Sequence, residues 1–185
     1  MSLRVIAGSV GGRRLIAPKG SARPTTDRLK EALFASLGRH RTDDATVLDL
    51  YAGSGALAIE ALSRGAAGAV LVDNDHSAQV AILANLGAVG FADEARFQRS
   101  TVAAFLAAPV PEAPFDIVFL DPPYDSPAEE VDAALAALAA GGLVAAGGTV
   151  VVERPRHGEP LTLPDGWGIE KERAYGDTLL VVAIA

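Results

Sequence analysis

Val47-Leu48-Asp49-Leu50-Tyr51-Ala52-Gly53-Ser54-Gly55-Ala56-Leu57-Ala58 decides the fold. An apolar run ends at a glycine-rich turn, and a second apolar run opens beyond it. A buried parallel strand passes into a helix in this way at the C-terminal edge of an open α/β sheet, where ligands bind. Gly53 and Gly55 let backbone amides approach a ligand, and a helix beginning near Gly55 adds its positive N-terminal end. A second strand ends at Asp73, 18 residues past Gly55, where a carboxylate accepts both hydroxyls of a ribose. Turn and acid together bind an adenosine. Gly53-Ser54-Gly55-Ala56-Leu57-Ala58 also fits the dinucleotide fingerprint, so a nicotinamide cofactor competes. Asp49 tips the choice, because an acid upstream of the glycines repels a pyrophosphate and attracts the ammonium of S-adenosylmethionine.

Outward from this stretch, strands and helices alternate, the pattern of a parallel sheet covered on both faces. Strands are predicted near 46–51, 69–73, 95–99, 115–120, 148–153, 167–172 and 178–184, with helices near 55–64, 77–86, 101–107 and 127–140. In the last helix Val131, Ala134, Leu135 and Leu138 recur at helical spacing, and Gly141-Gly142 ends it. The final two strands flank Tyr175-Gly176-Asp177 and read as an antiparallel hairpin at the sheet edge.

The fourth strand, Phe115-Asp116-Ile117-Val118-Phe119-Leu120, runs into Asp121-Pro122-Pro123-Tyr124 beside the glycine turn. Two prolines fix the backbone and remove donors, leaving the Pro122 carbonyl as an outward acceptor. An exocyclic amine on a nucleobase is a poor nucleophile because its lone pair is delocalised into the ring. The Asp121 carboxylate and the Pro122 carbonyl, accepting its two hydrogens, localise that pair, while Tyr124 stacks on the ring. Asp121, Pro122, Pro123 and Tyr124 are therefore the candidate catalytic residues.

At 185 residues, half of them apolar, the chain forms one core with a small appendage. It has no cysteine, which excludes a disulfide scaffold and a thiolate nucleophile and fits a reducing compartment. His40, His76 and His157 lack metal-ligand spacing, so no metal is expected. There is neither a signal-peptide run nor the roughly 18 unbroken apolar residues of a membrane span, so the cytoplasm is the expected location. The net charge of −7 hides an asymmetry: residues 1–41 carry +7 and residues 42–185 carry −14. A basic arm on an acidic body suits phosphate contacts. Within the arm, Arg4-Val5-Ile6-Ala7 and Arg14-Leu15-Ile16-Ala17 read as a short hairpin. A helix over about 27–38 follows, with Leu29, Leu33, Leu37 and Phe34 on one stripe, Thr25 or Thr26 as its cap and Gly38 as its close. Arg4, Arg13, Arg14, Lys19, Arg23 and Arg28 form the candidate RNA-binding set.

Three segments together carry a resemblance. Asp49-Leu50-Tyr51-Ala52-Gly53-Ser54-Gly55 with Glu60-Ala61, the later Asp121-Pro122-Pro123-Tyr124, and the leader Arg4-Val5-Ile6-Ala7-Gly8, Gly12-Arg13-Arg14-Leu15 and Arg23-Pro24-Thr25-Thr26-Asp27-Arg28 resemble the bacterial small-subunit ribosomal RNA guanine-N2 methyltransferases. The resemblance implies a class I S-adenosylmethionine-dependent methyltransferase fold, an α/β architecture with a seven-stranded sheet in the order 3-2-1-4-5-7-6. Residues 1–41 would be a hairpin and helix packed on a methyltransferase domain of 42–185. It further implies S-adenosylmethionine as cofactor and a guanine of 16S rRNA in the assembled or late-assembling 30S subunit as substrate, with the protein acting as a monomer. The implied cofactor contacts are Asp49, Tyr51, Ala52, Gly53, Ser54 and Gly55 in the turn, Asp73 and Asn74 after the second strand, Ser100 and Thr101 after the third, and Asp121. Asp73 stands where an acid with a longer side chain is usual, and Arg99-Ser100-Thr101-Val102 lacks the acid many methyltransferases aim at the adenine amine. Ser100 or the backbone then has to supply that contact.

Asp-Pro-Pro-Tyr also serves adenine-N6 methyltransferases, while protein glutamine enzymes usually open the motif with Asn. A nicotinamide-dependent dehydrogenase gives the motif no role and wants a catalytic His or Lys beside the sheet. A non-catalytic RNA-binding protein has no need of Asp121 and Tyr124.

Overall fold

The computed structural model describes residues 3–19 and 27–185. Its leader is held by few bonds of its own. The Val5 N–H donates to the Arg13 carbonyl and the Leu15 N–H to that of Leu3, both at 2.9 Å, and Arg4 and Arg14 alone form a ladder pair. The expected hairpin is thus a single antiparallel bridge with turn bonds around it, and the N–H groups of Ile6, Ala7, Ser9, Val10 and Ile16 are bonded to other elements instead. Helix α1 (Asp27–Leu37) buries Leu29, Leu33, Phe34 and Leu37 on the stripe that the spacing predicts. The Gly38 N–H closes it on the Phe34 carbonyl at 3.1 Å, and a short helix α2 (Arg39–Thr42), which the sequence reading lacks, follows. The caps expected of Thr25 and Thr26 lie outside the described residues.

The remaining chain runs β1 (Thr46–Leu50), α3 (Ala56–Ser63), β2 (Gly68–Asp73), α4 (His76–Val89), β3 (Ala95–Arg99), α5 (Val102–Leu106), β4 (Phe115–Leu120), α6 (Ala128–Ala140), β5 (Val144–Pro155), β6 (Gly168–Tyr175) and β7 (Thr178–Ile184). These strands form one seven-stranded sheet in the order β3-β2-β1-β4-β5-β7-β6, as the resemblance implies. The first five strands pair in parallel, and β7 runs antiparallel to both β5 and β6. Successive side chains alternate between two cores. Val47, Ile117, Phe119 and Val151 face α1, α3 and the leader. Leu48, Leu50, Val118, Leu120, Val150 and Val152 face α5 and α6. Burial on both faces explains why β1 and β4 read as nearly unbroken apolar runs. Strand β5 begins earlier than expected: its pairing with β4 slips between Phe115–Val144 and Ile117–Thr149, a bulge carried through Gly147 and Gly148.

The register sets the site. Leu50 pairs with both Val72 and Leu120, and Leu120 pairs with Val152. One step further along, Asp73, Tyr51, Asp121 and Glu153 therefore form a row across the C-terminal ends of β2, β1, β4 and β5. Alternation puts Asp73, Asp121 and Glu153 on the α1 and α3 side.

Candidate active site

The turn after β1 is held under tension. Tyr51 adopts φ 61°, a left-handed conformation that a bulky side chain rarely occupies, and Gly53 and Gly55 follow at φ 56° and 74°. Strain of this kind persists where the surroundings over-determine it. Here the Ala52 N–H donates to the Val72 carbonyl at 3.0 Å, and the Gly53 N–H donates to Asp73 Oδ2 at 2.8 Å. Asp73 Oδ1 accepts from the Asp75 N–H at 2.9 Å. Each carboxylate oxygen keeps a second lone pair, so Asp73 both braces the turn and has capacity for ribose hydroxyls. A Cβ added at Gly53 would enter open space, with its nearest neighbour, the Tyr51 carbonyl, 3.9 Å away, whereas one at Gly55 would meet Leu71 Cδ2 at 2.9 Å. Gly53 thus keeps the cradle open, and Gly55 packs it against β2.

Asp49 sits beneath this turn, only 1% exposed. One oxygen accepts the Ala58 N–H at 3.1 Å and so ties β1 to the first turn of α3. Burial pushes its carboxyl well above the usual range; the Ala58 bond pulls it down, and the charges of Asp121 and Asp73 raise it further. Asp49, expected to contact a ligand ammonium, thus lies below the turn rather than at its surface. Tyr51 is half-buried, and burial, then the charge of Glu130, push its hydroxyl up to about 12. Its hydroxyl reaches Glu130 Oε1 at 3.5 Å, a long contact.

Ser54 presents its carbonyl to Asn85 Nδ2 at 2.9 Å. Asn74 is exposed at the end of β2, its carbonyl taking Arg99 Nε at 3.2 Å. Ser100 lies beside Asp73, its N–H donating to the Asp73 carbonyl at 3.1 Å. Thr101 is the N-cap of α5, its hydroxyl oxygen accepting from the Ala104 N–H at 3.2 Å. Ser100 and Thr101, expected near the adenine, are thus engaged in holding the β3–α5 turn.

Asp121 and the prolines stand one strand over. The Tyr124 ring is 53% exposed, and its hydroxyl donates to the Asp177 carbonyl at 2.6 Å, so the β6–β7 turn buttresses the acceptor loop. Sequence reasoning missed Glu153. Burial, then the charge of Asp121, push its carboxyl up to about 8. The only signal was an acid at the end of an apolar strand, in the same place as Asp73 and Asp121.

Arg13, Arg14, Lys19 and Arg28 are all exposed. Arg4 is bonded to Asp27 through Nε at 2.9 Å, and Arg23 lies outside the described residues. The leader that carries these cations is anchored by side chains the sequence reading did not single out for this. Buried Glu60 accepts the N–H groups of Ile6 (2.6 Å) and Ala7 (3.1 Å) and Arg64 Nε (2.7 Å). Ser63 Oγ accepts from the Val10 N–H and donates to the Ala7 carbonyl. Buried Lys30 donates to the Arg4 carbonyl, and desolvation by burial lowers its pKa despite the nearby charges of Glu60 and Asp27. Asn85 takes both backbone groups of Ile16 while holding the Ser54 carbonyl, so one side chain links leader and glycine turn.

Among the described residues no cluster of acids or histidines is placed to hold a metal, and no helix is long and apolar enough to cross a membrane. The family described as "Conserved hypothetical protein 95" matches residues 3–184. Ribosomal RNA small subunit methyltransferase D of Escherichia coli (strain K12) is 38% identical over 175 residues, which are 94% of this chain and 85% of that protein. Its namesake in Haemophilus influenzae is 33% identical over 176 residues, 94% and 89% of the two. The solved structure of the Escherichia coli protein yhhF superposes with a TM-score of 0.88 at 35% identity, covering 100% of this chain and 98% of that one. With this coverage and this sheet order, the chain belongs to the conserved hypothetical protein 95 family and has the class I S-adenosylmethionine-dependent methyltransferase fold.

Proposed function

We propose that the chain methylates the exocyclic N2 amine of a guanine in 16S rRNA, using S-adenosylmethionine and acting as a cytoplasmic monomer on the assembled or late-assembling small subunit. The observation that carries this reading is the row Asp73–Tyr51–Asp121–Glu153, which puts one acid at the end of β2 and another just past β4, on either side of one strained turn. The names of the Escherichia coli and Haemophilus influenzae relatives, ribosomal RNA small subunit methyltransferases, supply the substrate class.

The cradle fits the cofactor. Asp73 has lone pairs left for two hydroxyls, Gly53 leaves room where a Cβ would intrude, and Asp49 puts a carboxyl under the place of an ammonium. When bound, the cofactor supplies an electrophilic methyl on a positive sulfur. The protein's part is to make the amine a nucleophile. Asp121 and the Pro122 carbonyl accept its two hydrogens and localise the nitrogen lone pair, which forms the new N–C bond. The surplus proton then leaves nitrogen for Asp121 or water. Tyr124 holds the ring, its hydroxyl pinned on Asp177 so that the exposed face is left for stacking. The exposed leader cations meet RNA phosphates, and the particle's shape supplies selectivity for a base that is unpaired or easily flipped.

The test is transfer of labelled methyl from S-adenosylmethionine to three acceptors in parallel: small subunits lacking their native methylation, the same RNA stripped of protein, and duplex DNA. Label on a guanine of the subunit alone is expected. Label on an adenine, on naked RNA or on DNA discards the target and keeps the chemistry; no label anywhere removes the enzyme reading.

A further inference from the structure

On the other face of the acceptor loop, Pro122 and Pro123 form one wall of a cavity of about 280 Å3 between that loop, the start of α6 and the segment after β5. Arg154 lines it. This arginine is 8% exposed as a residue, and among the described residues its guanidinium makes no hydrogen bond or ion pair; since no buried side-chain nitrogen there lacks a partner, the guanidinium nitrogens open onto the cavity. It lies over Gly158, with Nη2 3.0 Å from where a Cβ would stand. A cation whose stem is buried and whose head faces a cavity without a counter-ion favours a ligand that supplies the anion. The opposite wall offers the matching half of such a site. Helix α6 is 13 residues long and follows Pro127, which gives it no side-chain cap, and Ser126 and Ala128 line the cavity at that positive end. Glu129 and Glu159 also border the cavity, but both are exposed. Water and salt screen their charges far more than that of the guanidinium within the cavity.

We infer that Arg154 and the N-terminus of α6 bind a backbone phosphate of the RNA next to the nucleotide held by Asp121–Tyr124. A polynucleotide carries a phosphate on each side of any base it presents, and this cavity shares the Pro122–Pro123 wall with the acceptor site. Exposed Arg156 and His157 continue the basic strip toward the rest of the strand. The acidic body thus holds a phosphate site remote in sequence from the basic leader. The inference rests on the RNA reading above.

Arg154→Gln and Arg154→Lys are compared with the parent for binding to small subunits lacking their methylation, over a range of salt concentrations, with S-adenosylhomocysteine affinity measured alongside. Arg154→Gln is expected to weaken particle binding about tenfold and to reduce the slope of log affinity against log salt by about 0.7 to 0.9. Arg154→Lys should keep the slope, and both should keep the cofactor-product affinity. An unchanged slope in Arg154→Gln overturns the site. Should that variant fold poorly, the parent protein decides: neutral methylphosphonate linkages beside the methylated nucleotide must lower transfer about tenfold, and no loss overturns the inference. Competition by inorganic phosphate without dependence on those linkages assigns the site to a free anion and also overturns it. Absence of all methyl transfer to RNA is a failure of the proposed function instead.

Discussion

Asp73 and Glu153 stand at opposite ends of the same row and are treated in opposite ways by the fold. Asp73 spends each oxygen on a backbone N–H, at 2.8 and 2.9 Å. Glu153 is largely buried, faces the charge of Asp121, and among the described residues accepts no hydrogen bond. The β1–β2 side is therefore finished before any ligand arrives, its geometry set by bonds within the protein. On the β4–β5 side, burial and the charge of Asp121 raise the Glu153 carboxyl on one face, and the Arg154 guanidinium opens onto a cavity on the other. A cofactor common to every turnover suits a preformed cradle, while an amine that must be activated suits groups whose charge is relieved on contact.

The sharpest way to break this contrast is at Asp121. Replacing it with Ala should lower turnover by about 10²–10³-fold or more while leaving cofactor affinity within a few-fold, since the residue serves the amine. Single-turnover rates and calorimetric titration of S-adenosylhomocysteine read the two quantities separately, and normal turnover would sink the mechanism. Asp73→Ala should do the reverse. Loss of a charged acceptor, together with release of the Gly53 N–H, should weaken cofactor binding by about 1.5–3 kcal/mol, roughly 10- to 150-fold, with a smaller change in the chemical step. Unaltered affinity would remove Asp73 from the cradle.

A smaller effect is expected from Asn85→Leu, which cuts the link between leader and turn. The Ile16 backbone groups and the Ser54 carbonyl each lose a partner, so stability should fall by about 2–4 kcal/mol. Urea denaturation gives the loss, and proteolysis should then cut the leader first. Equal susceptibility of leader and body would mean that Glu60 and Ser63 alone hold the arm.

What the sequence disclosed followed its periodicities. The glycine turn, Asp73 and the Asp-Pro-Pro-Tyr loop all lie within local patterns, the stripe of α1 is a matter of three- and four-residue spacing, and the strand order came from the family resemblance alone. Helix α4 ran on to Val89 because Gly87, though a poor helix residue, lies in open space and breaks no contact. Strand β5 begins at Val144 rather than at the predicted 148, because a bulge absorbs Gly147 and Gly148. The anchors of the leader were illegible for another reason. Glu60 and Asn85 bond to groups 53 to 69 residues away, and nothing local distinguishes a helix-face acid that meets solvent from one that caps a distant backbone. Glu153 and Arg154 were hidden likewise, since burial of a charge emerges only once β5 is set between β4 and β7.

The subtlest difference between the two ends of the row is in their response to pH. The Glu153 carboxyl titrates near 8 in the folded protein, against an ordinary value of 4.5 in the open chain. Between those values the native state holds a proton that the unfolded chain has released. Stability from this group is therefore complete below about pH 4.5, declines as pH rises and is lost once pH passes about 8. Asp49, also raised by burial, acts in the same direction, so the parent's profile alone does not isolate Glu153. Glu153→Gln does, because the amide is neutral at every pH and close in shape. Urea midpoints of parent and variant measured at pH 5 and pH 8.5 should differ most in the parent's favour at pH 5, and that advantage should shrink at pH 8.5. A gap independent of pH would mean that Glu153 titrates like an exposed acid, and the acceptor end would then be as well satisfied as the cradle.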